Sequence, residues 1–170
     1  MIMLKKFLFA CIFFLLPLGA RASCDLSVKH MAALSQNDLD AVYARYPMRF
    51  GKPTLIVNDK NVRTYYADEY KGIITIYPKS FSDSYCDQYF DGLSTSVAEV
   101  VSHEYTHFLD EKMQLSKKIG EKDMSEKTAD LGEHVFNELV WHNQYFVNNF
   151  SQSDLKKYNT FVRILQTSAV

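Results

Sequence analysis

The spacing of apolar residues predicts three helices in the second half of the chain. Apolar positions recur every three or four residues in segments 94–113, 123–148 and 151–166, which is the period of a helix with one buried face. Near the start of each segment a serine or aspartate precedes an acidic residue by three positions, the spacing of a capping box. Gly120 predicts a helix end between the first two segments, and Gly132 predicts a kink within the second.

The first half of the chain predicts one helix followed by three strands. Segment 35–46 opens at Ser35, has helical spacing and ends near Pro47, which cannot continue a helix. Three later segments are rich in β-branched and aromatic residues, and a turn at Lys71 and Gly72 separates the last two. The predicted strands are residues 53–59, 63–70 and 72–78. Strands followed by helices indicate an α+β fold.

The N-terminus predicts export. Residues 1–22 contain two lysines, an apolar run and an A-x-A cleavage site, in the order of a secretory signal peptide. The apolar run, residues 7–16, is about half of the ~20 residues that span a bilayer. We therefore expect cleavage to leave residues 23–170 as a single domain in the periplasm or outside the cell, with no stable membrane insertion.

Composition and charge narrow the expected partners. A chain of 170 residues that is 47% hydrophobic and 14% aromatic can fill one compact core. Removal of residues 1–22 takes away three basic residues and no acid, which lowers the formal net charge from −1 by three to −4. Nothing in this balance favours nucleic acid as a partner. The two remaining cysteines, Cys24 and Cys86, predict a disulfide in an oxidising compartment, with two free thiols as the alternative.

The segment HEYTH, residues 103–107, carries the candidate chemistry. His103 and His107 are separated by one helical turn, so both imidazoles can point to one metal ion. Glu104 lies about 100° around the helix from His103, close enough to contact a metal-bound water without ligating the metal. Such a carboxylate acts as general base in zinc hydrolases.

The next helix supplies a third ligand. Glu126 and Asp130 are four residues apart and share a helix face, so Glu126 can ligate the metal while Asp130 hydrogen-bonds the free ring nitrogen of a ligand histidine. Glu133 and Glu138 are the alternative third ligands.

Together, HEYTH at 103–107 and EKTAD at 126–130 resemble the HExxH and ExxxD helices of the gluzincin group of zinc metallopeptidases, to which the thermolysin-like enzymes belong. The resemblance implies one zinc ion bound by His103, His107 and Glu126. It also implies Glu104 as the catalytic base. The implied zincin-like fold has a small mixed or antiparallel sheet whose edge strand holds an extended peptide, then the HExxH helix, the ExxxD helix and a closing C-terminal helix.

The group that stabilises the developing oxyanion is less defined by the sequence. His134 lies eight residues after Glu126 and about 80° around the helix, so we expect it at the rim of the cleft as a second catalytic residue. The alternative donors are His142, Tyr145, Tyr65 and Tyr66.

The sequence therefore predicts a secreted or periplasmic zinc-dependent metalloendopeptidase whose partner is a protein or peptide substrate. A peptidoglycan amidase is a second hydrolytic reading, which export would allow. A third reading is a secreted binding or inhibitor protein that keeps zinc for stability on a degenerate zincin fold. Glu104 favours the hydrolases, because a purely structural zinc site does not require a carboxylate at that position.

Overall fold

The computed structural model describes residues 25–60, 65–81, 92–121, 125–142 and 147–170. Within these ranges the chain forms five α-helices and one three-stranded sheet, which confirms the predicted α+β class. No helix in the same ranges is both long enough and apolar enough to cross a membrane. The predicted signal peptide and both cysteines of the predicted disulfide, Cys24 and Cys86, lie outside the described residues.

Helix α1, Val28–Arg45, begins seven residues before the predicted start. The prediction was wrong because Ser27, and not Ser35, is the N-cap: the Ser27 hydroxyl accepts a hydrogen bond from the backbone N–H of His30 at 3.3 Å. Ser35 is completely buried within the helix. The predicted end before Pro47 is confirmed.

The strands are β1, Thr54–Val57, β2, Ala67–Tyr70, and β3, Ile73–Ile76, in the order β1-β3-β2. The sheet is mixed, because β1 is parallel to β3 and β2 is antiparallel to it. The predicted turn at Lys71 and Gly72 is confirmed, and its φ angles of 52° and 80° are those of a two-residue hairpin. The predicted strand at 63–70 is shorter in the structure, since β2 begins at Ala67.

The outer edge of β2 presents backbone groups next to the candidate site. The Tyr77 N–H donates to the Tyr66 carbonyl at 2.8 Å, which makes that pair hydrogen-bonded and fixes the alternation along the hairpin. Ala67 and Glu69 therefore occupy non-hydrogen-bonded pairs with β3. Their backbone N–H and C=O groups point away from β3, toward an edge that no other strand in the described part of the chain covers.

The helices after the sheet are α2, Gly92–Met113, α3, Leu115–Ile119, α4, Ser125–Trp141, and α5, Gln152–Ser168. The predicted positions of α2 and α5 are confirmed within two residues. The predicted extension of α4 to residue 148 was wrong, because His142 takes a φ of 58° after Trp141 and ends the helix. Ser151 caps α5 by accepting the Asp154 N–H at 3.2 Å.

A short connection turns the chain from α2 back toward α4. Gln114 takes a left-handed φ of 55°, and the Asp110 carboxylate accepts hydrogen bonds from both the N–H and the hydroxyl of Ser116. Gly120 ends α3 with a φ of 82°, which confirms the predicted helix end. Glu121, which follows it, forms an ion pair with Lys157 of α5.

The sheet packs one face on α2. The apolar side chains of β2 and β3 on this face are fully or almost fully buried, as are the facing apolar positions of α2, whereas Glu69 is partly buried. The buried set on the two elements includes Ala67, Ile74, Ile76, Val97, Val101, Tyr105 and Phe108. This packing fixes the position of the β2 edge relative to the turn of α2 that carries HEYTH.

Helix α4 lies very close to α2, and Gly132 marks the point of contact. A Cβ atom at Gly132 would lie 2.0 Å from Oγ1 and 2.5 Å from Cγ2 of Thr106. Thr106 is buried, and its hydroxyl donates to the Ser102 carbonyl at 2.8 Å, so it has little freedom to move. Helix α4 continues through Gly132 without interruption, and the kink stays a prediction. The glycine allows the close helix–helix spacing.

We predict that Gly132→Ala destabilises the protein by about 1 to 3 kcal/mol, because the added methyl group overlaps Thr106. Helix propensity alone predicts the opposite sign, a gain of about 1 kcal/mol. Urea denaturation followed by circular dichroism measures the difference. Lys127→Ala, at an exposed position of the same helix, is the control and should change stability by less than about 0.5 kcal/mol. A more stable Gly132→Ala protein would contradict the close packing.

Candidate metal centre

Three ligand atoms from α2 and α4 converge at the point where the helices pack. The Nε2 atoms of His103 and His107 lie 3.2 Å apart. Glu126 places Oε2 at 3.3 Å from the first of these nitrogens and Oε1 at 3.5 Å from the second. The structure thus brings together the three residues that the sequence predicted as ligands, and this group can hold a metal ion.

The separations fit tetrahedral coordination. With metal–ligand bonds of roughly 2.0–2.1 Å, two ligand atoms of a tetrahedron stand about 3.3 Å apart. The 3.2 Å between the imidazole nitrogens and the 3.3 Å from His103 Nε2 to Glu126 Oε2 match this separation. The imidazoles are mostly covered, with side-chain exposures of 20% for His103 and 15% for His107, whereas Glu126 is 61% exposed. The group therefore opens to solvent on the Glu126 side, where a further ligand can approach.

His107 is held in the form that binds metals. Burial, and then repulsion from His103, lower the pKa of His107. A neutral imidazole has a free lone pair on one ring nitrogen, which metal coordination requires.

The other ring nitrogen of His103 faces carboxylates of α4. Its Nδ1 lies 3.4 Å from Asp130 Oδ1 and 3.9 Å from Glu133 Oε2. Asp130, the predicted orienting residue, is the nearer of the two. His103, Asp130 and Glu133 also form a second group with metal-ligand spacing, but it contains one imidazole where the first has two. Two imidazoles and a carboxylate are the more typical transition-metal ligand set.

Glu104 is buried beside this group. Its exposure is 7%, and burial raises its pKa to about 8, with further increases from the nearby carboxylates of Asp68, Glu126 and Glu69. The backbone N–H of Glu69, on the outward edge of β2, donates a hydrogen bond to the Glu104 carboxyl group, and this bond lowers the pKa of Glu104. A divalent cation at the three-ligand group would also lower this pKa, because its charge stabilises the carboxylate.

Two cavities meet at Glu104. The smaller, of about 340 Å³, extends along α2 toward its N-terminal end and is lined by Glu99, Val100 and Glu133 together with aromatic side chains. The larger, of about 880 Å³, runs below β2 past His107. Both cavities are lined by Tyr65, Ala67, His103 and Glu104. Together the two cavities form one cleft, and the candidate metal ligands and the candidate catalytic base lie near its middle.

The remaining sequence candidates lie elsewhere. His134, predicted as a second catalytic residue, lines a different cavity and packs its ring 5.8 Å from that of Phe150. Among the residues that line the two cavities of the cleft, His134 does not occur, so its role at the oxyanion stays a prediction without geometric support. Glu138 accepts a hydrogen bond from Tyr158, His142 is exposed beyond α4, and Tyr145 lies outside the described residues.

Two features of the cleft were missed by the sequence analysis. Glu99 precedes His103 by one helical turn, so helical spacing contained the signal, but the residue was read only as part of a capping box. The contact of the Glu69 backbone with Glu104 had no signal in the sequence, because it depends on the register of the hairpin.

Comparison of the chain with protein-family models, curated proteins and solved structures gives no match. The interpretation of the site therefore depends on its own geometry.

We predict that the metal-free protein loses stability as the pH rises. Burial is the main cause that raises the pKa of Glu104 to about 8 and those of Glu133 and Asp38 to about 7. Between about pH 4.5 and 8 the folded state therefore binds more protons than the unfolded state, so the free energy of unfolding falls as protons are removed. Urea denaturation in chelator should show a decrease on the order of 2 to 4 kcal/mol from pH 5 to pH 8.

Glu104→Gln is the matched variant for this measurement, since it keeps the shape and removes the titration. It should reduce the pH dependence of stability and leave the part that Glu133 and Asp38 contribute. A wild-type protein whose stability is equal at both pH values, or increases with pH, would contradict the buried carboxyl groups.

Proposed function

We propose that the protein is a zinc-dependent metallopeptidase of the zincin type, similar to the gluzincins. The observation that carries the proposal is the three-ligand group of His103, His107 and Glu126 with the buried carboxyl of Glu104 beside it. Two imidazoles, one carboxylate and an open side toward solvent are the arrangement of a catalytic zinc site, whereas structural zinc sites usually have four protein ligands.

A zinc ion held by His103, His107 and Glu126 would supply a Lewis acid that polarises the scissile carbonyl and makes water acidic enough to attack near neutral pH. The chain supplies the rest. Asp130 orients the His103 ring through its Nδ1 atom, which keeps Nε2 directed toward Glu126.

Glu104 acts as the proton carrier in this proposal. Its carboxylate takes a proton from the attacking water and passes it to the nitrogen of the leaving amine, so the group ends each cycle as it began. Its buried position between the two cavities supports this role, because both the attacking and the leaving group of a bound peptide would lie within its reach.

In this proposal the outer edge of β2 binds the backbone of the substrate peptide. Ala67 directs its backbone N–H and C=O outward, and Glu69 directs its C=O outward, so an extended chain can add there as a further strand while the Glu69 N–H bonds to Glu104. Tyr65 lines both cavities, which favours it over His134 as the residue that donates a hydrogen bond to the developing oxyanion.

We further propose that the enzyme acts after export, as residues 1–22 predict, on protein or peptide substrates. A peptidoglycan amidase remains the second candidate from the same chemistry. The extended edge of β2 favours the peptidase, because it offers a series of backbone hydrogen bonds to a linear polypeptide.

We predict that the purified protein binds about one zinc ion per chain and that Glu126→Ala lowers the affinity for zinc at least about a hundredfold, because one of three protein ligands is lost. Metal content by mass spectrometry and competition with a chromophoric chelator measure both quantities. Glu121→Ala, on the turn before α4 and outside the ligand group, is the control and should keep the wild-type zinc content. Wild-type protein without zinc affinity would contradict the site.

We predict that Glu104→Gln retains zinc but loses peptide hydrolysis by at least about a hundredfold in kcat, because the water loses its proton acceptor. Cleavage of an unfolded protein and of purified peptidoglycan sacculi, each followed by mass spectrometry, measures the activity. Hydrolysis of sacculi alone would identify the amidase. Zinc-loaded wild-type protein that cleaves neither substrate would favour the binding or inhibitor protein.

A further inference from the structure

The smaller cavity carries an excess of acidic side chains. Glu99 of α2 and Glu133 of α4 are both partly buried on its wall and face each other across the helix pair. Burial is the largest cause that raises the pKa of Glu133, and repulsion from Glu99 is the second. Among the described residues, no lysine or arginine lines this cavity or forms an ion pair with either carboxyl group.

Partly buried carboxyl groups of like charge are costly unless a cation accompanies them or they take up protons. Two other acidic side chains of this protein have a cation beside them: Glu121 pairs with Lys157, and Asp40 pairs with Lys52. The pair in the cavity is different because it faces a space of about 340 Å³, which lies within the range of roughly 300 to 1,000 Å³ typical of ligand sites.

Part of the remaining wall is apolar: Val100 lines the cavity from α2, and Tyr66 and Phe81 form an aromatic wall with ring centroids 5.0 Å apart. The rest of the lining is polar and includes Ser96, His103, Glu104 and Asp130. A calcium or magnesium ion requires six or more oxygen ligands and gains nothing from such a wall. A long side chain with an aliphatic stem and a cationic end matches both the wall and the carboxyl groups.

We propose that this cavity is a specificity pocket that receives a lysine or arginine side chain of the substrate, whose charge Glu99 and Glu133 neutralise. The stem packs against Tyr66, Phe81 and Val100. The inference rests on the proposed function, since it identifies which residue of a peptide beside the cleavage point the enzyme prefers.

The pocket can be tested without catalysis. The probes are N-acetyl-arginine amide and its neutral isostere N-acetyl-citrulline amide, added to the zinc-loaded protein and followed by NMR chemical-shift titration. We expect the arginine probe to bind at least about tenfold more tightly, because only it supplies the missing charge. Glu99→Gln should reduce this preference to within about threefold while leaving the zinc content unchanged.

Asp59→Asn is the matched control, because it removes one negative charge at an exposed position that lines neither cavity. It should keep the full preference for the arginine probe. Glu99→Gln should fold at least as well as the wild type, since it removes a charge that has no ion-pair partner among the described residues.

Equal binding of the two probes would overturn the proposal, with protonation of the two carboxyl groups as the explanation. Calcium or a second equivalent of zinc that binds with dependence on Glu99 and displaces the arginine probe would overturn it in favour of a second metal site.

Peptide cleavage gives a separate measurement: hydrolysis of arginine and citrulline peptides at equal kcat/KM would contradict the pocket alone. Absence of any hydrolysis would contradict the proposed function, and the probe titration would still decide the pocket.

Discussion

The close packing of α4 on α2 is the constraint on which the site depends. Gly132 allows the two helices to approach so closely that any side chain at that position would overlap Thr106. Because α4 returns along α2, residues far apart in sequence form facing pairs: Glu126 reaches His107, and Asp130 reaches His103. Loss of this contact would move Glu126 away from the histidines.

Electrostatics is the second organising feature, and it follows from the first. The helix pair and the β2 edge gather several carboxyl groups into one cleft, where burial and mutual repulsion raise the pKa values of Glu104 and Glu133. A cleft of this kind is stabilised by cations. A metal ion at the histidines and a basic side chain in the smaller cavity would each relieve a different part of the repulsion, so both proposals address the same physical property of the cleft.

Local signals predicted much of the fold. The amphipathic periods of α2 and α5 and the hairpin turn at Lys71 were sufficient, because each depends on neighbours in the sequence. The start of α1 was misjudged since Ser35 resembles a cap in sequence but lies within the core. The two histidines were predicted to share a face because helical spacing alone sets their relative position. The approach of Glu126 to them, and the pairing of Glu99 with Glu133, depend on which faces of α2 and α4 meet, which no local pattern contains.

The most direct test of the central claim is X-ray absorption spectroscopy at the zinc edge of the zinc-loaded protein, before and after addition of a hydroxamate. The account predicts two imidazole ligands and oxygen ligands at about 2.0 to 2.2 Å, no sulfur, and a change in the oxygen ligands when the hydroxamate binds at the open side. A site with sulfur ligands, or a closed site of four protein ligands that the hydroxamate leaves unchanged, would contradict it.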